Sequence, residues 1–211
     1  MSARVSVVVA SRNLGKLREL RALLAPLELE IWSLDEAGAP DLVVVEDGAT
    51  FEENAEKKAR EAARATGMIA LADDSGLEVD ALGGRPGVRS ARFAHEHATD
   101  AENNTALLEA LGGTPDAERS ARFRCVLCVV DPRRPAAATF VRGACEGHIA
   151  RASAGHDGFG YDPLFVVDEP GRPEGAAPRT MAELTEQEKN RISHRGVAFR
   201  AIFGVLQELS Q

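Results

Sequence analysis

Two adjacent carboxylates follow directly on an apolar run, and no other feature of the sequence restricts the fold as much. Residues 68–72 are apolar, Asp73 and Asp74 come next, and Ser75 and Gly76 follow. The run predicts a buried strand that ends at the carboxylates, with Gly76 allowing a tight change of direction. Two ionised carboxylates there repel each other unless a cation or a shared proton lies between them. The stretch therefore predicts either a divalent-metal or acid/base centre at a strand end, or a plain Asx-rich turn.

The net charge and the number of cysteines bear on which partners the protein binds and in which compartment it works. The 211 residues carry a formal net charge of −8 at pH 7, so we expect no binding to nucleic acid or to anionic membranes. No apolar run reaches the roughly eighteen residues of a membrane span, and the first strand shows no signal-peptide pattern. Three cysteines in a chain of this length favour a reducing compartment over a disulfide framework. We therefore expect a cytoplasmic protein.

The first strand is followed by a polar turn and a helix. Residues 5–10 are mostly β-branched, residues 11–16 are polar with one glycine, and leucines at helical spacing start at Leu17. Such a turn directs backbone N–H groups and the positive end of the helix dipole at an anion, and Lys16 adds a full charge. The spacing of a Walker A loop is absent. A turn of this composition also suits plain helix initiation, so both interpretations stay open.

The next helix carries a clear start and stop signal. Residues 42–45 predict a strand, and Thr50 and Glu53 after it have the spacing of a capping box. A helix over about residues 51–66 follows, with Gly67 placed to end it. Most of its lysines and arginines are expected on a solvated face. One of them is a candidate to point back at the two carboxylates.

Consecutive strands dominate the middle of the chain and helices its end. Further strands are predicted over residues 122–130, 138–142, 147–150 and 164–167, and further capping boxes start at Thr99 and Thr185. The last helix, over about residues 197–209, follows an interruption at residues 193–196. Early alternation and later consecutive strands predict an α/β fold, with a mixed central sheet flanked by helices. We expect one domain over residues 1–211, built as two lobes.

Two other chemistries find little support. Cys125 and Cys128 lie within a predicted strand, where positions three apart face opposite sides, and no second pair completes a zinc set; buried core thiols are favoured. The G-x-S-x-G pattern of a serine hydrolase is absent.

Several polar and aromatic groups would together suit a nucleotide. They are an anion-binding turn, a set of carboxylates, a lysine-bearing helix, an aromatic glycine loop and a cationic break before the last helix. A triphosphate, a metal ion and an aromatic base would use all of them, which predicts a metal-assisted nucleotide phosphohydrolase. The residues concerned are Asn13 and Lys16, Glu46, Asp73 and Asp74, Lys57 and Lys58, residues 159–162, and His194 and Arg195.

Five blocks in order along the chain resemble the inosine/xanthosine triphosphate pyrophosphatase family. They are residues 11–16, 50–55, 72–77, 158–163 and 192–196. The resemblance covers nearly the whole chain. It implies Mg²⁺-dependent cleavage of ITP, dITP or XTP to the monophosphate and pyrophosphate, which removes these nucleotides from the pool. It also implies an elongated mixed sheet between two lobes, an active site in the cleft, and a homodimer.

The same resemblance assigns roles to individual residues. Asp74 would accept the proton of the attacking water, and Glu46, Asp73 and Asp74 would hold the metal. The substrate-binding residues would be Ser11, Arg12, Asn13, Leu14, Gly15, Lys16, Lys58, Ser75, Phe159, Gly160, Tyr161, Asp162, Lys189, His194 and Arg195. Two departures stand out: Val45-Glu46 replaces the acidic pair of many relatives, and Ser11-Arg12 replaces a common Thr-Gly pair.

The base is expected to be read through its 6-oxo group. Hypoxanthine and xanthine carry an oxygen acceptor where adenine has an amino donor, so donors such as His194 and Arg195 would discriminate against adenine. Two alternatives stay open. One is a pyrophosphatase of similar shape, such as the Maf-type enzymes that act on pyrimidine or modified nucleotides, and the other is a non-catalytic nucleotide-binding module.

Overall fold

A six-stranded sheet and five α-helices make up most of the computed structural model, which describes residues 5–26, 29–169 and 175–209. The strands are β1 (Val5–Val9), β2 (Leu29–Ser33), β3 (Ile69–Val79), β4 (Ser120–Val130), β5 (Thr139–Ile149) and β6 (Phe165–Val167). The helices are α1 (Leu14–Leu24), α2 (Phe51–Thr66), α3 (Asp100–Ala110), α4 (Glu186–Ile192) and α5 (His194–Leu209).

The sheet is mixed, in the strand order β2-β1-β3-β4-β5-β6. β1 pairs in parallel with β2 and with β3, where Val9 lies opposite Leu71. β5 pairs antiparallel with β6, where His148 lies opposite Val166. The α/β class and the mixed sheet flanked by helices are therefore confirmed. Among the described residues, no helix has both the length and the apolar character needed to cross a membrane.

The chain divides into two compact units, and the division passes through three strands. Unit 1 comprises Met1–Asp74, Cys125–Gly143 and Val197–Gln211; unit 2 comprises Ser75–Arg124 and Ala144–Gly196. Unit 1 has a core in which α1 and α5 contribute buried leucine, isoleucine and phenylalanine side chains beside β1, including Leu20, Phe199 and Ile202. Unit 2 has its own core, in which Leu107 of α3 is packed with apolar residues of β4 to β6. The division of β3 falls between Asp74 and Ser75.

The prediction that the strand ends at the acidic pair was wrong. β3 continues through Asp73, Asp74 and Gly76 to Val79, so these residues form neither a strand end nor an Asx-rich turn. Gly76 is not among the glycines with positive φ. The strand is continuous because its second half has its own buried side chains, Leu77 and Val79. β1, in contrast, stops at Val9, and its last pairing partner on β3 is Leu71. The carboxylates therefore lie just beyond the carboxyl end of β1.

The predicted strand over residues 42–45 is not present. This segment has no ladder partner in the described sheet, and Val43 and Val45 are 76% and 63% exposed. Arg12 instead holds its start, because the guanidinium donates to the carbonyls of Pro40 and Leu42. A run of valines favours a strand only where a neighbouring strand offers hydrogen bonds and a packed face.

Smaller corrections concern helix boundaries and strand continuity. Thr50 caps α2 as predicted, but Glu53 accepts the N–H of Ala49 rather than that of Thr50. α5 starts at His194, so only Ser193 interrupts the last two helices. The strands predicted over residues 138–142 and 147–150 are one strand, β5. The capping boxes at Thr99 and Thr185, and the ends of α2 at Phe51 and Thr66, are confirmed.

Candidate active site

The first group of candidate site residues lies in unit 1 and pairs lysines with carboxylates. We call Lys16, Glu46, Asn54, Lys58, Asp73 and Asp74 the carboxylate cluster. Lys16, in the first turn of α1, places its Nζ 3.0 Å from Asp73 Oδ2. Asp73 and Asp74 are only 1% and 5% exposed. Buried carboxylates of this kind require compensation by positive charge or hydrogen bonds, and the two lysines supply the charge.

Lys58 binds two carboxylates at once. Its Nζ lies 3.0 Å from Glu46 Oε1 and 3.4 Å from Asp74 Oδ1. Lys58 projects from the buried face of α2, which confirms that one cation of this helix points back at the acidic pair. Its neighbour Lys57 pairs with Asp47 at the surface. The register of α2 therefore separates a site lysine from a solvent-exposed one.

Asn54 joins the cluster although the sequence analysis gave it no role. Its Nδ2 donates to Asp74 Oδ2 at 3.1 Å, and its Oδ1 accepts the N–H of Gly48 at 2.8 Å. The side chain is 1% exposed. The signal was present in the spacing, because Asn54 is four residues before Lys58 and hence on the same face of the helix. Asn54 ties Asp74 to the segment that carries Glu46.

Burial and neighbouring charges set the ionisation of this cluster. Burial raises the pKa of Asp74; Lys58 and Lys16 pull it down and Glu46 pushes it up, leaving it above the ordinary value. Burial by itself would lower the pKa of the Lys58 ammonium, but Asp74, Asp73 and Glu46 outweigh burial and raise it. A carboxylate with a raised pKa is the better proton acceptor near neutral pH. Lys58 stays charged beside it.

The donor atoms of the carboxylate cluster are of the type that a hard divalent cation prefers. Glu46, Asp73 and Asp74 offer only oxygen atoms, which Mg²⁺ prefers. Within the described residues, no group of three or more acidic, histidine or cysteine side chains is arranged around one point. Lysine ammonium groups lie against the carboxylates instead, as in the contact of Lys58 with Glu46 and Asp74. Carboxylates that stabilise a buried ammonium group can also stabilise a metal ion. For this to happen, the lysines would have to leave the carboxylates and pair with phosphate oxygens of a bound substrate.

The second group of candidate site residues lies in unit 2 and includes Phe159. We call Ser75, Phe159, Gly160, Tyr161, Asp162, Lys189, His194 and Arg195 the aromatic cluster. Asp162 Oδ2 accepts the N–H of Phe159 at 2.9 Å and pairs with Lys189 Nζ at 2.8 Å. A side chain at Gly158 would collide with Asp162, since its Cβ would lie 2.1 Å from Oδ2. Asp162 therefore fixes the loop backbone on which Phe159 is carried.

Two cations lie near the Phe159 ring. Lys189 Nζ is 5.0 Å and the Arg195 guanidinium carbon 5.1 Å from the ring centroid, within the range of cation–π attraction. Arg195 also donates to Ser75 Oγ at 3.0 Å. The half-buried ring and its cations form a place where a flat, electron-rich ligand could stack and accept hydrogen bonds.

His194 and Tyr161 are held by residues that the sequence analysis did not single out. The His194 ring stacks on Phe123 of β4, with centroids 4.9 Å apart and an interplanar angle of 19°. Tyr161 donates its hydroxyl proton to the carbonyl of Ser90 at 2.8 Å, and burial raises the pKa of that hydroxyl. No local spacing links Phe123 to His194, so sequence offered no signal for this contact.

The predicted residues of the first turn make local contacts. Asn13 caps α1, since its Oδ1 accepts the N–H of Lys16 at 3.0 Å. Ser11 Oγ accepts the N–H of Asn13 at 3.3 Å. The Arg12 guanidinium donates to the carbonyls of Pro40 and Leu42. Gly15 lies in the first turn of α1, and the side chain of Leu14 is outside the described part of the structure.

Comparison with known proteins gives the same family over nearly the full chain. The model of the Ham1 family matches residues 7–205. The chain is 47% identical to the dITP/XTP pyrophosphatase of Anaeromyxobacter dehalogenans (strain 2CP-C), covering 98% of this chain and 99% of the relative. It is 51% identical to the dITP/XTP pyrophosphatase of Geobacillus kaustophilus (strain HTA426), covering 91% and 89%.

Solved structures agree with this relationship. A HAM1 protein from Coxiella burnetii has a TM-score of 0.84 at 46% identity, over 97% of this chain and 99% of that one. A nucleoside-triphosphatase / dITP/XTP pyrophosphatase from Mycobacterium abscessus has a TM-score of 0.73 at 45% identity, over 94% and 99%. With the family model and these identities together, the chain belongs to the Ham1 family.

Proposed function

We propose that this chain hydrolyses the non-standard purine nucleoside triphosphates ITP, dITP and XTP to the monophosphate and pyrophosphate. The observation that carries the proposal is the carboxylate cluster, in which Lys16 pairs with Asp73 and Lys58 pairs with both Glu46 and Asp74. The relatives described above, named dITP/XTP pyrophosphatases, support the substrate class. The reaction would remove these nucleotides from the pool available for nucleic-acid synthesis.

The lysines would bind the phosphates. A triphosphate brings about four negative charges, which must be offset before a carboxylate can approach the reacting phosphorus. On substrate binding, Lys16 and Lys58 would exchange their present carboxylate partners for phosphate oxygens. The turn over residues 11–16 would add backbone N–H groups and the Asn13 side chain at the start of α1.

Asp74 would activate the water. Its raised pKa suits proton acceptance near neutral pH, and Asn54 fixes one carboxylate oxygen, leaving Oδ1 beside Lys58. Glu46, Asp73 and Asp74 would hold Mg²⁺, which, when bound, would offset negative charge on the phosphates. Hydrolysis in ¹⁸O-labelled water would identify the phosphorus that is attacked, by the product that carries the label.

The aromatic cluster would bind the purine base. Phe159 offers a ring for stacking. His194 and Arg195 offer N–H donors, from which a 6-oxo group can accept hydrogen bonds but the amino group of adenine cannot. We propose, as the family resemblance implies, that residues 1–211 act as one domain.

A substrate panel tests the function. Purified protein is given ITP, XTP, dITP, ATP, GTP, dTTP and UTP with Mg²⁺, and pyrophosphate and phosphate are measured separately. We expect pyrophosphate from the first three at rates at least about a hundredfold above ATP, the discrimination that an unmatched hydrogen-bonding edge permits. Equal rates on ATP and ITP, preference for pyrimidine nucleotides, release of free phosphate, or nucleotide binding without turnover would each contradict the proposal.

The Mg²⁺ requirement, the assembly state and the location of the protein are further parts of the proposal. We propose that activity requires Mg²⁺ and that the chain forms a homodimer, as the family resemblance implies. We also propose that it works in the cytoplasm, as its low cysteine count indicates. Loss of activity in EDTA with recovery on added Mg²⁺ tests the first. Light scattering after size-exclusion chromatography tests the second, and fractionation of the source cells tests the third.

A further inference from the structure

Helix α3 binds both backbone polar groups of Gly160, the residue that follows Phe159. The N–H of Gly160 donates to Asp100 Oδ2 at 2.7 Å, and Asn104 Nδ2 donates to the carbonyl of Gly160 at 2.9 Å. Asp100 and Asn104 are four residues apart and therefore project from the same face of the helix. Both backbone polar groups of one loop residue are thus held by a single rigid element.

These contacts act on a residue whose backbone is already restricted. Gly160 has a φ of +62°, and a Cβ built on it would meet nothing within 4 Å. Glycine is therefore needed for its backbone conformation and not for lack of space. On the other side, Asp162 accepts the N–H of Phe159. The backbone is therefore held on both sides of the Phe159 Cα, which restricts the direction in which its side chain leaves the chain.

The Asn104 amide has an unfavourable feature beside its bond to the Gly160 carbonyl. Its Oδ1 is buried and has no hydrogen-bond partner within the described residues. Turning the amide over would bring Oδ1 against the carbonyl of Gly160, so the observed orientation is the one that the loop requires. A buried acceptor without a partner is unfavourable, and the bond to Gly160 must offset it.

We infer that Asp100 and Asn104 are positioning residues for the purine: they fix the N–H and the carbonyl of Gly160 and thereby restrict the orientation of the neighbouring Phe159 ring. The inference rests on the proposed function and extends it to a helix that contributes no residue to either cluster. Neither side chain needs to touch the substrate. Their effect should fall on binding of the base and leave binding of the phosphates and the chemical step intact.

Four variants separate positioning from general stability. Asn104→Ala removes the donor and Asp100→Ala removes the acceptor, whereas Asp100→Asn keeps an oxygen that can accept the Gly160 N–H. Thr105→Ala is the control on the same helix, because the exposed Thr105 hydroxyl contacts only its own helix, at the carbonyl of Ala101. Calorimetric titration with IMP measures binding that includes the base, and inorganic tripolyphosphate measures the phosphate part alone.

We expect Asn104→Ala and Asp100→Ala to raise the dissociation constant of IMP, and KM for ITP, by about three- to tenfold, the loss of one hydrogen bond. The affinity for tripolyphosphate and kcat should stay within about twofold of wild type, and Asp100→Asn and Thr105→Ala should bind IMP like wild type. Unchanged IMP binding in both alanine variants, or equal weakening of IMP and tripolyphosphate, would overturn the inference. Failure of the wild-type protein to release pyrophosphate from ITP would instead refute the proposed function.

Discussion

Asp74 is surrounded by groups with opposing effects on its charge. Burial raises its pKa, while Lys58, Lys16 and the Asn54 amide favour the carboxylate form. The sequence predicted the acidic pair and Lys16, since these follow from residue types next to predicted elements. It could not predict which partner each carboxylate takes, because the pairing of Lys58 with Glu46 and Asp74 depends on the register of α2 against β3.

Replacing Asp74 tests its role as proton acceptor. Asp74→Asn keeps the volume and one oxygen for the Asn54 donor but removes the base, so turnover of ITP should fall by about 10²- to 10⁴-fold, the usual contribution of general-base catalysis. Pyrophosphate release measures the rate, and circular dichroism should show a native spectrum. Turnover within about threefold of wild type, with the fold intact, would leave no place for Asp74 as the base.

Asn54 offers a second test at the same carboxylate. Asn54→Ala leaves the Gly48 N–H and Asp74 Oδ2 each without this partner, so we expect kcat to fall about tenfold and unfolding to become easier by about 1–2 kcal/mol. Urea denaturation and pyrophosphate release give the two numbers. Arg64→Ala, on the exposed face of the same helix, is the control and should change neither. An active Asn54→Ala variant would show that Asp74 is oriented by other groups.

At the scale of elements, the sequence predicted the helix N-caps correctly but did not predict where the β-strands begin and end. The caps at Thr50, Thr99 and Thr185 were predictable because each depends on residues three apart. The continuation of β3 past Asp74 and the absence of a strand over residues 42–45 depend on which strands pair with them. Leu77 is buried and Val43 is exposed for the same reason: an apolar side chain of a strand is buried only where a neighbouring element packs against it.

The cap of α2 matters because this helix carries both Asn54 and Lys58. Thr50 Oγ1 accepts the N–H of Glu53, so Thr50→Ala should lower the free energy of unfolding by about 1 kcal/mol, while Thr50→Ser keeps the hydroxyl and should lose a few tenths at most. Equilibrium urea denaturation of the two variants and of wild type measures these differences in the free energy of unfolding. If the serine variant is as unstable as the alanine variant, the contribution comes from the threonine methyl group and not from the cap.

At the scale of the whole molecule, the fold class followed from the order of elements, but the contacts that complete the sites did not. The bond from Gly160 to Asp100 joins residues sixty positions apart, and the stacking of His194 on Phe123 joins β4 to the start of α5. Such contacts depend on how unit 2 brings distant segments together. Sequence periodicity does not predict such long-range contacts. A family resemblance can assign candidate site residues such as His194, but it does not identify the residues that hold them in position, such as Phe123.

Buried thiols give the whole chain a predictable response to alkaline pH. Cys125, Cys128 and Cys145 are buried, and burial of Cys125 and Cys128 agrees with their predicted role as core thiols. Burial raises the pKa of Cys128 and of Cys145 from 9.0 to about 12, and nearby carboxylates add to the rise. In the unfolded chain these thiols ionise near their ordinary pKa, so between about pH 9 and pH 12 the folded state binds more protons.

Stability should therefore be fully present below about pH 9 and fall as pH rises toward 12. Urea midpoints at pH 8, 9, 10 and 11 measure the fall, and Cys128→Ala should flatten it, although removal of the sulfur also costs some packing at every pH. In the folded protein at pH 8 the thiols should react with Ellman's reagent far more slowly than in urea, because the reagent needs an accessible thiolate. A midpoint that is independent of pH up to 11, or rapid labelling of the native protein, would mean that these thiols are open to solvent.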